Sequence, residues 1–404
     1  MVDTKTEKIK ELLERGVENI YPNREFLEKL LKSNKKLKLY LGIDPTGPAL
    51  HLGHAIVLNK LKQFQDLGHE VILLIGSFTA MIGDPTDKKA VRKQMTREEV
   101  LKNCKNYKEQ ASKVLDFNGQ NPVIIKYNHE WLDKLTFKDV IDLVSHFTVQ
   151  RMLERDMFEK RMKAGKPIYI HEFLYPLMQG YDSIVMDVDG EVGGNDQTFN
   201  MLAGRDLMKA LKNKEKFVLT TKLLTDNTGV KMGKSEGNML TLEDKPQDMY
   251  GKVMSWTDNI IGNGFELCTT LPISEVEKIK KELSGKDPKA NPKNYKMKLA
   301  LEIVKLYYGG KKAEKAQKEF INVFQKKENP EDMKEFKVKE NKKKLIDILS
   351  ESGLLSSKSE ARRLIEQGAV KINGKIEKEW NKEINIQNET VIQAGKRKFL
   401  KIIK

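Results

Sequence analysis

His51 and His54 stand three residues apart in the stretch Tyr40-Leu41-Gly42-Ile43-Asp44-Pro45-Thr46-Gly47-Pro48-Ala49-Leu50-His51-Leu52-Gly53-His54. On a helix that spacing puts two imidazoles on one face, a turn apart. Ring N–H groups placed there can donate to phosphate oxygens, and such bonds strengthen as charge develops. Far downstream, Lys231-Met232-Gly233-Lys234-Ser235 sets two ammonium groups and a hydroxyl around a glycine. A loop of this kind suits a triphosphate and the charge of a group in transfer. Each stretch also has a plainer reading: a capped helix with two surface histidines, and a solvated turn. A metal site is a third option for the histidines, but no cysteine or carboxylate cluster stands ready to complete it.

The elements that must hold these residues follow from pattern. Residues 38–43 read as a buried strand, and Ala55, Leu58, Leu61 and Phe64 recur at helical spacing. Pro45, Gly47 and Pro48 punctuate the gap, which gives a strand, a tight loop and a helix beginning near His51. Unpaired N–H groups at that helix start suit a phosphate. Gly53, lacking a Cβ, lets a flat group lie against the backbone. Residues 70–76 are a second strand, apolar throughout, as in a parallel sheet covered on both faces. Strand, helix, strand at this spacing predicts a right-handed Rossmann-like α/β unit. The absence of a Gly-x-Gly-x-x-Gly fingerprint argues against a dinucleotide dehydrogenase. Residues 1–36 read as helical, 96–165 as mainly helical with a strand at 122–127, and 183–186 and 217–220 as further strands.

Ligands of such sheets sit at the carboxyl ends of the strands. Asp84, after the second strand, suits an ammonium group or caps a turn. Lys88 and Arg92 follow within reach of phosphates. Tyr175, Gln179 and Asp182 fall at i, i+4 and i+7, one helix face, beside apolar Leu174, Leu177 and Met178. Pro176 is expected early in that helix, where it is accommodated. Alone, these three polar residues also fit an exposed stripe. In Val192-Gly193-Gly194-Asn195-Asp196-Gln197 the glycines permit close backbone approach. Asp196 is then placed for ribose hydroxyls and Gln197 for a carboxylate, with a glycine turn and an aspartate cap as the plain alternative. Residues 150–156 alternate in charge and fit a solvated helix, so no chemistry is assigned to them.

With 404 residues, 39% of them hydrophobic, the chain can build two or three cores. Two cysteines imply no disulfide framework and suit a reducing cytoplasm. No apolar run approaches membrane-spanning length, and the polar first ten residues lack a signal-peptide core. The net charge of +15 draws polyanions, nucleic acid first, or reflects a Lys-rich composition. The expected division is 1–245, a helical region 246–325, a charged linker 326–341 and a small unit 342–404. From residue 341 onward, 15 Lys and Arg face 8 Asp and Glu. There Lys358, Arg362 and Arg363 lie near the start of a capped helix and suit phosphate contacts or a solvated basic face.

His51-Leu52-Gly53-His54 followed by Lys231 to Ser235 resembles the signature pair of class I aminoacyl-tRNA synthetases. The surrounding residues resemble the bacterial tyrosyl-tRNA synthetases over nearly the whole chain. The resemblance implies a Rossmann-like catalytic domain, a helical anticodon-side domain and a small α+β RNA-binding domain of a type first seen in a ribosomal protein. It implies that L-tyrosine is activated with ATP and Mg2+, without a protein-bound structural metal, and that the tyrosyl group passes to tRNA(Tyr). It assigns catalysis to Thr46, His51, His54, Lys88, Arg92, Lys231, Lys234 and Ser235. Tyr40 and Asp182 then hold the phenol hydroxyl, Tyr175, Gln179 and Asp84 the amino group, and Gln197 the carboxylate. Gly42, Asp44, Gly53, Gly194, Asp196, Leu224 and Lys234 line the ATP side. An insertion within 96–165 implies a homodimer, expected in the cytoplasm. Tryptophan-activating relatives share the fold and both signatures, and the pairing of Tyr40 with Asp182 favours tyrosine. A non-catalytic RNA-binding protein that kept the fold is the other alternative. Gly233 stands where the class form has Ser, one hydroxyl fewer. Lys234→Ala is expected to slow activation while leaving tyrosine affinity little changed, and wild-type single-turnover kinetics would remove Lys234 from the mechanism.

Overall fold

Residues 38–43 form the strand on which the first unit is built, but the chain reaches it through more than helix. The computed structural model describes residues 2–84, 94–225, 239–285, 291–324, 333–338, 340–395 and 398–404. In it the first 36 residues are α1 (Thr6–Glu14), β1 (Val17–Tyr21) and α2 (Arg24–Lys32). The strand β1, absent from the sequence reading, pairs antiparallel at a sheet edge; none of its residues is fully buried and its register shifts between Val17 and Asn19, so no clean alternation marks it. Next come β2 (Lys38–Ile43), α3 (Leu52–Asp66), β3 (Glu70–Ile75) and α4 (Thr79–Ile82). The insertion holds α5 (Arg97–Cys104), α6 (Tyr107–Ala111), β4 (Ile124–Tyr127), α7 (His129–Leu132), α8 (Phe137–Val144), α9 (Val149–Leu153) and α10 (Asp156–Lys163). The second half of the sheet follows as α11 (Ile170–Met186), β5 (Gly190–Gly194), α12 (Thr198–Lys212) and β6 (Phe217–Thr221).

The six strands run in the order β1-β6-β5-β2-β3-β4, parallel except for β1. The order reverses between β2 and β5. The carboxyl ends of strands at such a switch point are the usual ligand position of an open α/β sheet. The strand expected at 183–186 is instead the last turn of α11. That apolar run continues the helix, with Val185 turned to solvent. The helix stops only at Asp187, which takes a left-handed conformation (φ 48°). Pro176 lies well inside α11 rather than in its first turn. Helices α11 and α12 pack through glycines. A Cβ on Gly180 would sit 3.2 Å from Gly204 Cα, and one on Gly204 would sit 3.0 Å from Ser183 Oγ.

The chain divides into two compact units, residues 1–244 with 255–307, and 245–254 with 308–404. The stretch 246–325 is therefore shared. The helices α13 (Pro246–Met254) and α17 (Gly310–Phe324) belong to the second unit, and α14 (Ile261–Cys268), α15 (Ile273–Ser284) and α16 (Pro292–Tyr308) lie essentially in the first. Within the second unit, β7 (Lys334–Lys337), β8 (Lys342–Lys344), α18 (Leu345–Glu351), α19 (Lys358–Glu366), β9 (Val370–Ile372), β10 (Lys375–Glu377), β11 (Glu383–Asn385), β12 (Val391–Ala394) and β13 (Lys398–Ile403) follow. They make a sheet ordered β10-β9-β12-β13-β7 and a pair β11-β8 over a core that includes Leu345, Ile348, Leu349, Ile365 and Leu400. Part of the expected linker is thus strand β7. Its Lys-Glu-Phe-Lys sequence reads as linker because an edge strand is charged and mostly exposed.

Gly190 opens β5 against the Phe217 ring, which is fully buried and stacked on Phe64. A Cβ at position 190 would overlap that ring. Gly190→Ala is expected to cost about 1–3 kcal/mol through overpacking, seen as a lower urea midpoint. An unchanged midpoint would mean that the ring gives way freely.

Candidate active site

The loop from β2 to α3 is held by side chains that the sequence reading did not single out. Asn103 Nδ2 donates to the Pro45 carbonyl (3.0 Å), Tyr107 Oη to that of Gly47 (2.6 Å) and Gln110 Nε2 to that of Pro48 (2.9 Å). The Leu50 N–H donates to Gln110 Oε1 (2.6 Å). So pinned, the loop delivers His51 as the residue that precedes the first turn of α3. The His51 N–H donates to His54 Nδ1 (3.1 Å), so a neutral His54 carries its proton on Nε2. The two imidazoles stack with centroids 3.8 Å apart. A Cβ on Gly53 would touch the His51 ring at 3.0 Å, so this glycine also makes room for the histidine.

The chain beyond the second signature returns to the same place. The Leu52 N–H donates to Leu240 O (2.9 Å) and the Leu242 N–H to Leu50 O (2.8 Å). Lys231, Lys234 and Ser235 of that signature, and likewise Lys88 and Arg92, lie outside the described residues.

Deeper in the cleft, four carboxyl groups are each matched to donors. Asp44 accepts from Thr79 Oγ1 (2.7 Å) and Tyr175 Oη (2.8 Å). Gly76 allows this, because a Cβ there would overlap the Asp44 carboxylate. Burial nevertheless pushes Asp44 up to about 7, against the pull of both hydroxyls. Asp84 meets Arg155 Nη2 (3.0 Å) and Gln197 Nε2 (2.8 Å). Asp182 accepts from Trp131 Nε1 (2.8 Å) and Asn128 Nδ2 (3.3 Å), and burial holds its carboxyl well above the ordinary range. Glu191 accepts from Gln179 Nε2 (2.8 Å) and from Lys216. Tyr40 is completely buried in β2, and its hydroxyl faces Ser183 Oγ (3.0 Å) and the Gln179 carbonyl (3.3 Å).

The structure therefore gathers Tyr40, Asp44, Asp84, Tyr175, Gln179, Asp182 and Gln197 around one cleft, linked in pairs. Tyr175 bonds to Asp44, Gln179 to Glu191, and Gln197 to Asp84. Thr46 lies in the pinned loop, its N–H on the Asp44 carbonyl (2.8 Å). Gly42 lies in β2, Gly194 ends β5, and Asp196 follows with its carboxylate folded toward Gly194. Leu224 is buried just past β6. In the second unit Lys358 pairs with Asp347 (2.8 Å), Arg362 pairs with Glu366 (2.8 Å) and stacks over Trp380 (4.6 Å), and Arg363 is exposed on the same helix.

Arg155 corrects the reading of 150–156 as a solvated helix. It is buried, lies against the rings of Phe158 and Phe199, and pairs with Asp84. Charge alternation hid it, and Phe158, three residues on, was the available signal. Lys216 and Glu191 were also missed, although an acid and a base at the heads of neighbouring apolar strands are a legible pair.

Residues 32–325 match the family model of class I tRNA synthetases for tryptophan and tyrosine, and 325–402 match that of the tyrosine–tRNA ligase SYY-like C-terminal domain. The chain belongs to this class I synthetase family. A tyrosine–tRNA ligase of Thermotoga maritima is 45% identical over 400 residues, covering 99% of this chain and 98% of the relative. One from Haemophilus influenzae is 47% identical, covering 96% and 95%. Among solved structures, a C-terminally truncated mitochondrial tyrosyl-tRNA synthetase of Coccidioides posadasii superposes with a TM-score of 0.61 at 27% identity, covering 78% of this chain and 92% of that one.

Asp44 makes stability depend on pH. Its carboxyl near 7 lies above the ordinary value of about 3.9 in an unfolded chain. The native state therefore holds more protons between about pH 4 and 7, and its stability falls as pH rises through that window. Asp44→Asn has no such proton to lose. From pH 5 to 8 the unfolding free energy of the variant is expected to gain roughly 3 kcal/mol on wild type, measured by urea titration. A difference that does not vary with pH would contradict the assignment.

Proposed function

We propose that this chain activates L-tyrosine with ATP, which enters as its magnesium complex, and then transfers the tyrosyl group to the 3′-terminal ribose of tRNA(Tyr). The observation that carries this reading is the buried Tyr40, packed in one cluster with Trp131, whose indole N–H donates to the buried Asp182 carboxyl. A donor and an acceptor set among apolar side chains such as Ile72, Met186 and Trp131 suit a phenol. Asp84, with Tyr175 and Gln179, suits the ammonium group, Gln197 suits the carboxylate, and Asp44 lies on the ATP side.

In the first step the tyrosine carboxylate attacks the α-phosphorus of ATP in line, and the bond to pyrophosphate breaks. Catalysis then amounts to positioning and charge stabilisation. His54, with Nδ1 engaged, presents Nε2–H to phosphate oxygens, beside Thr46 and His51. Lys88, Arg92, Lys231, Lys234 and Ser235 complete the charge, while Gly42, Gly53, Gly194, Asp196 and Leu224 receive the nucleoside. In the second step the ribose hydroxyl attacks the acyl carbon and AMP leaves.

Chemistry belongs to residues 1–245 and RNA contact to 342–404, where Lys358, Arg362 and Arg363 meet phosphates. A homodimer is supported by the apolar residues Phe137 (81% exposed), Ile141, Val149 and Ile170 (81%) on the insertion and the start of α11. Two free, buried cysteines fit a cytoplasmic setting. Among the described residues no helix is long and apolar enough to cross a membrane.

ATP–pyrophosphate exchange with tyrosine, phenylalanine and tryptophan tests the proposal. Exchange with tyrosine alone is expected. Exchange with tryptophan would keep the fold and discard the pocket, and no exchange from a folded sample would discard the activity.

A further inference from the structure

Behind the pocket wall Lys216 is wholly buried, at 0% exposure. Its ammonium bonds to Glu191 and donates to Ser183 Oγ (2.9 Å), and Ser183 Oγ lies 3.0 Å from Tyr40 Oη. The register of the sheet sets Tyr40 beside Glu191, and the Lys216 charge lies 5.7 Å from the Tyr40 ring. A buried ion pair contributes little net stability, and apolar residues of similar volume serve as well. What the pair does supply is a direction for hydrogen bonds.

An ammonium can only donate, so Ser183 Oγ accepts from Lys216. The buried Ser183 hydroxyl keeps one proton, and Tyr40 Oη is the acceptor it reaches. Tyr40 Oη thus accepts from behind, and its own proton faces away from Ser183. In this structure that proton meets the Gln179 carbonyl at 3.3 Å, with the Glu191 carboxylate, already accepting from Lys216 and Gln179, as its other neighbour; the long bond to the carbonyl is the one a better acceptor displaces. We propose that Lys216, acting through Ser183, is a positioning residue that fixes the Tyr40 hydroxyl as donor to the phenolic oxygen of the amino-acid substrate. The inference rests on the tyrosine reading above. Its consequence is a polarised pocket. Tyr40 donates to the substrate oxygen, Asp182 accepts the substrate proton, and an analogue without the hydroxyl leaves both unpaired. The cation also strengthens each donor along the chain.

Two variants of the full chain test this. Ser183→Ala cuts the relay and keeps the ion pair. Lys216→Met with Glu191→Gln removes both charges together, so that no lone buried charge remains. ATP–pyrophosphate exchange gives KM for tyrosine, KM for ATP and the kcat/KM ratio of tyrosine over phenylalanine. In each variant the tyrosine KM is expected to rise about tenfold and the ratio to fall about tenfold, the scale of one lost hydrogen bond. The ATP KM should stay at the wild-type value, and all three substitutions together should do little more. A folded Ser183→Ala protein with wild-type tyrosine KM and ratio overturns the relay. So does a parallel rise in both KM values, which is the mark of a loosened fold. If wild type itself shows no tyrosine-dependent exchange, the pocket reading fails and the relay with it. Exchange in wild type with unaltered variants overturns the relay alone.

Discussion

A carboxyl group sealed from water must find donors or keep its proton. Two fully buried carboxyls, Asp182 and Glu191, and two half-buried ones, Asp44 and Asp84, meet at the switch point of this sheet, and each is resolved differently. Asp84 takes a guanidinium, Glu191 an ammonium, Asp182 two neutral N–H donors, and Asp44 two hydroxyls. The donors arrive from the insertion, from the head of β6, from the end of β4 and α7, and from α4 and α11. Satisfying the carboxyls therefore fixes how these elements sit around the cleft. This is the physical sense in which the fold and the site are one problem.

The result is a graded cleft. The Glu191–Lys216 pair is neutral overall and stays dry. Asp84 is partly neutralised by Arg155 yet lies nearer the strand ends. Asp44 has the softest charge, poised near neutrality by burial. A ligand carrying an ammonium and a carboxylate thus meets groups of differing reserve rather than a uniform negative wall. The relay behind Tyr40 extends the same logic from charge to hydrogen-bond direction.

Much of this was legible in the chain. The strand, loop and helix around His51 follow from apolar spacing and three punctuating residues, and the face of α11 follows from the i, i+4, i+7 pattern. What was not legible has physical causes. Residues 183–186 are apolar enough for either a strand or a buried helix end, and only Asp187 in the left-handed region marks the break. The strand β1 has no fully buried residue and carries a register shift, so it shows no clean alternation. Arg155 looks solvated in a charged run because burial through two aromatic rings is a tertiary fact. The pairings among the pocket residues were likewise out of reach, because several donors were available to each carboxyl and only packing chooses among them.

The glycine contact between α11 and α12 has a consequence for how such a pocket changes over time. Gly204 backs onto Gly180, Ser183 and Lys216, so the rear of the specificity helix rests on backbone and on the relay itself. A side chain introduced at either glycine would press on the backbone of the other helix at 3.2 to 3.3 Å and on the relay behind it, and exchanges of the paired front-face residues Tyr175 or Asp182 would strand their buried partners. A change of pocket in this architecture is therefore constrained from both sides: the rear by helix-to-helix contact at glycines, the front by hydrogen bonds that must be replaced in pairs.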